Sequence, residues 1–401
     1  MKYLFFAIVF FILLMYSNAN CWDKIELTDS RIYDMIFMNN DTGFLINQNG
    51  QIFRTFNQGI NWDVSVDFSP LRLTTMTKDI NNNLWVNATN NSNKCYSYIS
   101  SNFGTSWNNV RTIDIAALPT DIKFDNHFGI MSLVQFSSTL LEISHNGSDW
   151  TSFENIPGTK VSNIFLIDSN HFWLCGTGAY LTNYVNLIPD KKVITGFEQN
   201  EWRDIYFNQS IGFVCGSNGA IIKTTNAGLT FIASNIGIPA TCTFYGIIFV
   251  NDKLGYVCGV DSETKNGVIY FTSDSGNMWT LEYEIPNFIF LDFARDANNL
   301  WVYGTNGALF KKLLPTDIDE DYSNYIDEIT YTNNQLTFDP KLYKMIESVS
   351  ISDLSGRLQS NLFKDDLINP INISESKLTN GLYLVVIHTK NRKLLKKIIC
   401  N

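Results

Sequence analysis

The sequence is poor in the residues and motifs on which most catalytic sites depend. It contains four histidines, and none forms the H-E-x-x-H pattern of a zinc hydrolase. It has no C-x-x-C pair, no G-x-S-x-G nucleophile elbow and no phosphate-binding loop. The formal net charge is −10, which argues against a nucleic-acid partner because those proteins carry a basic stripe. We therefore predict no metal ion and no cofactor, and we assign no catalytic residue, although whether the chain is an enzyme stays open.

Long hydrophobic runs are also scarce, and the clearest one lies at the N-terminus. Lys2 precedes an apolar run over residues 4–15, and small residues follow at positions 17–19. This arrangement predicts a secretory signal peptide over residues 1–19, cleaved between Ala19 and Asn20. The run is too short to predict a stable transmembrane span. A lipoprotein anchored at Cys21 is the less favoured alternative, because Asn20 is a poor residue immediately before a lipidated cysteine.

The seven cysteines do not suggest a disulfide framework. Cys175, Cys215 and Cys258 occupy one slot in the phrases WLCG, FVCG and YVCG, which predicts small buried apolar side chains. The sequence assigns neither the oligomeric state nor the pairing of Cys21, Cys95, Cys242 and Cys400.

A short phrase recurs along the chain: Ser or Thr, then Asn or Asp, then Gly, then an aromatic residue. Asn and Asp accept backbone hydrogen bonds in tight turns, and Gly supplies a positive φ. The phrase therefore predicts a structural turn, and it resembles the Asp-box, or BNR, repeat of β-propellers. The matching residues are Thr55, Asn57, Gly59, Trp62, Ser100, Asn102, Gly104, Trp107, Asn146, Gly147, Trp150, Thr224, Asn226, Gly228, Phe231, Thr272, Asp274, Gly276 and Trp279.

Each phrase belongs to a unit of four strands, for example residues 204–207, 212–216, 220–224 and 230–236. The second strands align at intervals of 41, 45, 43, 40, 43 and 45 residues. This period is typical of propeller blades and predicts an all-β fold with seven blades. Blade 4 is the weakest, because residues 181–200 carry no readable box. The aligned residues are Phe44, Trp85, Ile130, Trp173, Phe213, Tyr256 and Trp301.

The ends of this series predict how the ring closes. Blade 7 lacks a fourth strand, while an unassigned segment at residues 22–27 resembles the fourth strand of blade 1 at residues 61–64. We expect residues 22–27 to complete blade 7, which removes an exposed sheet edge. The propeller is predicted to span residues 20–314.

The C-terminal stretch is a separate unit. Residues 315–328 form an acidic linker, and the box pattern is not found beyond it. Residues 329–401 resemble the C-terminal sorting domain of the type IX secretion system of Bacteroidetes. The resemblance implies a small Ig-like β-sandwich, the type IX machinery as a partner, and a protein that is secreted or attached to the cell surface. The residues that carry it are Asp353, Gly356, Arg357, Gly381, Tyr383, Lys396 and Lys397.

Two sets of charged residues are candidates for ligand contact. Arg31 and Arg72 each lie 13 residues before their second-strand residue, and Arg203 begins blade 5 similarly. Their equivalent positions suggest a patch for an anionic partner. The alternative, which the sequence alone favours, is that they are scattered surface arginines. The second set consists of aspartates that recur near the inner strands of four blades. They form either a cation-binding ring or, as we favour, a structural feature of the repeat. Its members are Asp34, Asp121, Asp204 and Asp292.

The leading functional hypothesis is a non-catalytic propeller that binds an unknown protein or glycan. A sialidase- or xyloglucanase-like glycoside hydrolase is the first alternative, although a sialidase needs an arginine cluster with paired acids and a xyloglucanase cleft normally needs two propellers. The second alternative is an envelope-complex assembly factor, because residues 202–231 resemble photosystem II assembly-factor repeats.

Overall fold

The computed structural model describes residues 22–314 and the strands of the C-terminal region, with side chains in that region described for residues 346–351. Backbone contacts divide the chain into two units, Met1–Leu314 and Pro315–Asn401. The predicted signal peptide with its Ala19–Asn20 cleavage point, Cys21 and the acidic linker lie outside the described residues.

The first unit is built from seven antiparallel sheets of four strands each, which confirms the predicted seven-bladed propeller. Blade 1 contains β2 (Ile32–Phe37), β3 (Gly43–Asn47), β4 (Gln51–Thr55) and β5 (Asp63–Asp67). Blade 2 contains β6 (Arg72–Lys78), β7 (Leu84–Thr89), β8 (Cys95–Ser100) and β9 (Asn108–Ile113). Blade 3 contains β10 (Leu118–Asp125), β11 (Phe128–Val134), β12 (Ser138–Ser144) and β13 (Trp150–Pro157).

The remaining blades follow the same order. Blade 4 contains β14 (Val161–Asp168), β15 (His171–Gly176), β16 (Tyr180–Val185) and β17 (Ile188–Lys191). Blade 5 contains β18 (Trp202–Asn208), β19 (Ile211–Gly216), β20 (Ile221–Thr224) and β21 (Ile232–Ala233). Blade 6 contains β22 (Cys242–Phe249), β23 (Gly255–Asp261), β24 (Asn266–Thr272) and β25 (Thr280–Pro286). Blade 7 contains β26 (Phe290–Arg295), β27 (Asn299–Gly304), a 3₁₀ turn (Thr305–Gly307), β28 (Ala308–Leu313) and the N-terminal strand β1 (Asp23–Glu26).

Strand β1 closes the ring as predicted, by pairing antiparallel with β28. Trp22 lies one residue before the strand and is 3% exposed. Its ring meets Tyr256 of blade 6 edge-on at 6.1 Å and Phe293 of blade 7 at 6.5 Å. Its indole N–H donates to Glu282 at 2.9 Å, and Glu282 also pairs with the buried Lys312. The closing strand is therefore held by side chains of two blades as well as by its backbone.

The recurring box forms the same hydrogen-bonded turn in its four full copies. In blade 1 the Thr55 hydroxyl accepts the N–H of Gly59 at 3.0 Å, and Asn57 accepts the N–H of Asn61 at 3.0 Å. Gly59 has a φ of +71°, and a Cβ there would overlap the ring of Trp301 in blade 7. The glycine of each full copy thus lies against the second-strand aromatic residue of the preceding blade. The other pairs are Gly104 with Phe44, Gly228 with Trp173 and Gly276 with Phe213.

Two blades differ from the repeat in ways the structure explains. Blade 4 has no box, and Asn186 and Leu187, both at positive φ, join β16 to β17 directly. In blade 5 the fourth strand is shorter than predicted and covers only residues 232–233. The next residue, Ser234, donates its backbone N–H to Ile221 of the third strand and its hydroxyl hydrogen to the Gly276 carbonyl of blade 6. The cysteines that the structure describes are buried and free: Cys95, Cys175, Cys215, Cys242 and Cys258. This confirms the prediction made for Cys175, Cys215 and Cys258 from their shared slot in the repeat.

The second unit consists of two antiparallel sheets, so the tail is β-type as predicted. One sheet contains β29 (Ile329–Thr332), β30 (Gln335–Phe338) and β33 (Ile371–Asn372). The other contains β32 (Leu358–Phe363), β31 (Ile346–Asp353), β34 (Gly381–Thr389) and β35 (Lys393–Cys400). Of the predicted sorting residues, Asp353 ends β31, Gly381 and Tyr383 lie in β34, and Lys396 and Lys397 lie in β35. Gly356 and Arg357 are outside the described residues.

Every inner strand carries a β-bulge at the same place. In blade 1, Ile32 is opposite Asn47 and Asp34 is opposite Ile46, which leaves Tyr33 as the extra residue. A bulge bends its strand and re-aims a side chain. From blade 1 to blade 7 the extra residues are Tyr33, Thr74, Thr120, Ser162, Arg203, Tyr245 and Leu291. The residues that follow them are Asp34, Thr75, Asp121, Asn163, Asp204, Gly246 and Asp292.

The aspartates that follow the bulges join neighbouring blades. Asp34 accepts the N–H of Met76 at 2.7 Å, and its counterparts in blades 3 and 5 accept the equivalent N–H of the next blade at 2.8 Å. An aspartate in every second blade therefore links blades 1 and 2, 3 and 4, and 5 and 6. Because seven is odd, this alternation cannot continue around the whole ring: blades 7 and 1 are neighbours, and both carry an aspartate after the bulge, Asp292 and Asp34.

Lys123 supplies the positive charge among these carboxylates. Its ammonium lies 3.0 Å from Asp121, and its charge also acts on Asp34, Asp204 and Asp292. Burial alone would lower the pKa of Lys123, but the surrounding carboxylates raise it above its ordinary value. Within the described residues, no group of three or more His, Cys, Asp or Glu side chains is arranged to hold a metal ion. Lys123 therefore supplies the positive charge that the cation-ring hypothesis assigned to a bound cation.

Replacing Trp22 should test the closure. We expect Trp22→Ala to lower the free energy of unfolding by about 3–5 kcal/mol, because a buried indole is lost and Glu282 keeps only Lys312 as a donor. Trp22→Phe keeps a ring between Tyr256 and Phe293 and should cost less than half as much. Urea unfolding followed by tryptophan fluorescence measures both. Equal stability of Trp22→Ala and the parent chain would refute the role of this residue in closure.

The channel carboxylates predict an unusual pH dependence. Burial raises the pKa of Asp34 to about 6 and that of Asp204 to about 7, and it raises the pKa of Asp292 well above its ordinary value. The folded state therefore binds more protons than the unfolded state between about pH 4 and pH 7. Stability should fall as the pH rises through this window, by on the order of 1–3 kcal/mol.

Asp292→Asn tests this sign, because an amide oxygen can still accept the Phe293 N–H that Asp292 accepts at 2.7 Å. We expect the variant to be more stable than the parent chain at pH 8 and similar at pH 4.5, by urea unfolding. Asp63→Asn, in the exposed strand β5, is the matched control and should leave the pH profile unchanged. A variant that loses stability equally at both pH values would contradict the prediction.

Candidate ligand-binding site at the channel mouth

A cavity of about 490 Å³ opens at the end of the channel where the inner strands begin. All seven extra residues of the inner-strand bulges line it, one from each blade. The cavity has the size of a typical small-ligand site. The bulge is therefore the local device that turns one side chain per blade from the sheet into the mouth of the channel.

Four basic side chains from four blades meet in this cavity: Arg31, Arg72, Lys160 and Arg203. The structure thus brings together the three arginines that the sequence had singled out. Arg31 lies three residues before Asp34, and Arg72 lies three residues before Thr75. In blade 4, Lys160 lies at the same distance before Asn163. Sequence reasoning missed Lys160, although its distance from Asn163 matched the distance of Arg31 from Asp34.

Most of this positive charge is not neutralised by the protein. Arg203 pairs with Glu201, but its Nε is buried and has no hydrogen-bond partner. Within residues 22–314, Arg31 and Arg72 form no salt bridge with any carboxylate. The cavity is a concentrated positive site in a chain of net charge −10, and it can attract and bind an anion.

The uncharged lining differs between the two sides of the mouth. Tyr245, Leu291 and Tyr33 come from the adjacent blades 6, 7 and 1 and form an aromatic and aliphatic arc. Arg203 lies over the Tyr245 ring at 5.7 Å, and Arg31 lies over the Tyr33 ring at 5.8 Å. Blades 2, 3 and 4 supply a hydroxyl arc, composed of Thr74, Thr120 and Ser162. Apolar residues of blades 3 and 4 also line this side, namely Leu118, Pro119, Val134 and Val161.

The box residues lie away from this site. The inner strand of each blade begins at the mouth, so the third strand runs from the mouth and ends at the opposite end of the blade. The boxes follow the third strands, for example after Thr55 and Thr224, and are therefore at the far end. Among the residues that the structure describes, the cavity lining contains no Asp or Glu. Asp34, Asp121 and Asp204, which follow bulges, instead accept backbone N–H groups of the next blade.

Several solved structures share this fold. YCF48 bound to D1 peptide is 14% identical, with a TM-score of 0.57 over 73% of this chain and 95% of that one. YCF48 from Cyanidioschyzon merolae is 16% identical, with a TM-score of 0.57 over 73% and 98%. The GH74 xyloglucanase from Xanthomonas campestris is 12% identical, with a TM-score of 0.58 over 94% and 68%. At these identities the likeness shows the propeller fold alone.

No curated protein matches the sequence significantly. Among the residues that the structure describes, no helix has the length and apolar character needed to cross a membrane.

The C-terminal region gives the clearest relationship to a known family. Residues 332–401 match the family model described as "Secretion system C-terminal sorting domain". This match covers the strands from β30 to β35 and contains all the residues predicted to form the sorting motif. The chain is therefore a seven-bladed β-propeller with a type IX secretion sorting domain at its C-terminus, exported to the cell surface or the medium.

Proposed function

We propose that the exported propeller is a non-catalytic binding module that holds an anionic group of a protein or glycan ligand at its channel mouth. The observation that carries this proposal is the meeting of Arg31, Arg72, Lys160 and Arg203 in one cavity. The domain limits that go with it are a signal peptide over residues 1–19, a propeller over 20–314, a linker over 315–328 and a sorting domain over 329–401.

The cavity chemistry supports binding over hydrolysis. A glycoside hydrolase uses two carboxyl groups that face each other across the bound sugar. Here the described lining is basic, hydroxylic, aromatic and aliphatic, and the nearby Asp34 and Asp204 each accept backbone N–H groups in the channel. The alternative of an envelope-complex assembly factor is a special case of the same binding function, with a protein as the ligand.

Neutralising two of the arginines should weaken anion binding. We expect the Arg31→Gln/Arg72→Gln double variant to bind hexaglutamate or oligogalacturonate at least about tenfold more weakly, because each charged hydrogen bond contributes about 1.5–3 kcal/mol. The binding of the parent chain should also weaken as salt rises. Isothermal titration calorimetry at 50 and 200 mM NaCl, chosen to span about a halving of the screening length, measures both effects.

Arg54→Gln is the matched control, because Arg54 lies in β4 outside the cavity. It should leave both affinities unchanged. Anion binding that survives the double variant, with an unchanged salt dependence, would overturn the proposed site.

The sorting domain should be needed for export but not for binding. Removing residues 329–401 should leave a folded propeller in the periplasm of a host that has the type IX system, because the secretion machinery then has no signal to recognise. Cell fractionation followed by immunoblotting compares the full chain with the truncated one. Efficient release of the truncated form to the surface or medium would refute this division of roles.

A further inference from the structure

The two arcs of the channel mouth present different chemistry to opposite sides of a bound ligand. The aromatic arc offers the rings of Tyr33 and Tyr245 with Leu291 between them, and an arginine lies over each ring. The hydroxyl arc offers Thr74, Thr120 and Ser162. A simple inorganic anion would use only the cations and would leave both arcs without a role.

The groups of the hydroxyl arc keep hydrogen-bonding capacity for a ligand. Thr74 donates to the Asn87 carbonyl, so its hydroxyl oxygen remains able to accept. Thr120 donates to the Val161 carbonyl and also shares a hydrogen bond with Ser132 at 2.7 Å, which leaves its oxygen one lone pair for a ligand. Within the described residues, the Ser162 hydroxyl has no hydrogen bond to the protein. This side of the mouth therefore suits a ligand whose edge carries hydroxyl groups.

A carboxylated sugar meets all three requirements at once. A pyranose ring has an apolar C–H face that can stack on a tyrosine, and hydroxyl groups around its edge that can bond to the hydroxyl arc. Its carboxylate forms bidentate hydrogen bonds with a guanidinium group, and the guanidinium groups of Arg31 and Arg203 each lie over one face of a tyrosine ring. We infer that the ligand is an acidic polysaccharide and that the mouth recognises one of its uronate units.

This inference rests on the proposed anion-binding function and adds the sugar to it. Substitution of Tyr245 distinguishes sugar recognition from anion binding, because this residue contributes a ring and no charge. Tyr245→Ala should weaken oligogalacturonate binding about fivefold, because an aromatic contact of this kind contributes about 1 kcal/mol. Tyr245→Phe keeps the ring and should stay within about twofold of the parent chain. Hexaglutamate binding should change by less than about twofold in both variants.

The experiment uses calorimetric titration of the full chain, with thermal unfolding to show that each variant is folded. Methyl-esterified oligogalacturonate is the matched neutral ligand and should bind far more weakly than the acid. Phe56→Ala, an exposed aromatic residue outside the cavity, is the control variant. Should the double arginine variant lose hexaglutamate binding while oligogalacturonate binds no better than its ester, the sugar assignment fails and the anion site stands. If neither anion binds the parent chain, both proposals fail together.

Discussion

Ring closure is the constraint on which the rest of this structure depends. Strand β1 is only four residues long, and it supplies the fourth strand of blade 7 by pairing with β28. Trp22 adds a buried ring and a hydrogen bond to Glu282, which in turn pairs with Lys312. Only a closed ring brings blade 7 against blade 1, and only then do seven bulged residues surround one cavity. The binding site therefore exists only once residues at both ends of the propeller have met.

The inner-strand bulge separates two tasks that would otherwise compete. The extra residue of each bulge turns into the mouth, and the next residue turns into the channel, where aspartates in alternate blades accept backbone N–H groups. Arg203 and Asp204 are adjacent in sequence, yet the first lines the cavity and the second fastens blade 5 to blade 6. Blade 7 carries a further aspartate, Asp292, and the charges of Asp204 and Asp34 add to burial in raising its pKa.

Periodicity and turn chemistry were sufficient to predict the architecture. The spacing of residues such as Phe44 and Trp301 predicted seven blades, and the displaced Trp22 segment predicted the closure, because each repeat must bury its hydrophobic face against its neighbours. The arginines could also be placed, since equal distances from an aligned residue mean equal places in the ring. The bulges could not be predicted, because a single extra residue leaves no periodic signal in strands of six to eight residues.

For the same reason the site was only partly foreseen. Tyr33, Thr74 and Leu291 share one structural position but no residue type, so no recurring letter marks that position. Lys160 was within reach of the argument used for Arg31 and Arg72, but blade 4 lacks the box that would have drawn attention to its register. Lys123 is unique to blade 3, and no comparison between repeats identifies it. A repeat sequence shows most clearly the residues that all its blades share. In this propeller the shared residues have structural roles.

This difference explains how one fold can carry many binding functions. The residue after the bulge is constrained wherever it must accept a hydrogen bond from the next blade, as Asp34, Asp121 and Asp204 do. The backbone bulge turns the extra residue into the mouth, and Tyr, Thr, Ser, Arg and Leu all occupy that position. Except at Thr120, whose hydroxyl donates to the Val161 carbonyl of blade 4, substitutions there can change the ligand without removing a hydrogen bond between blades. The box turns that join the blades lie at the far end of the strands, where a ligand in the mouth does not reach them.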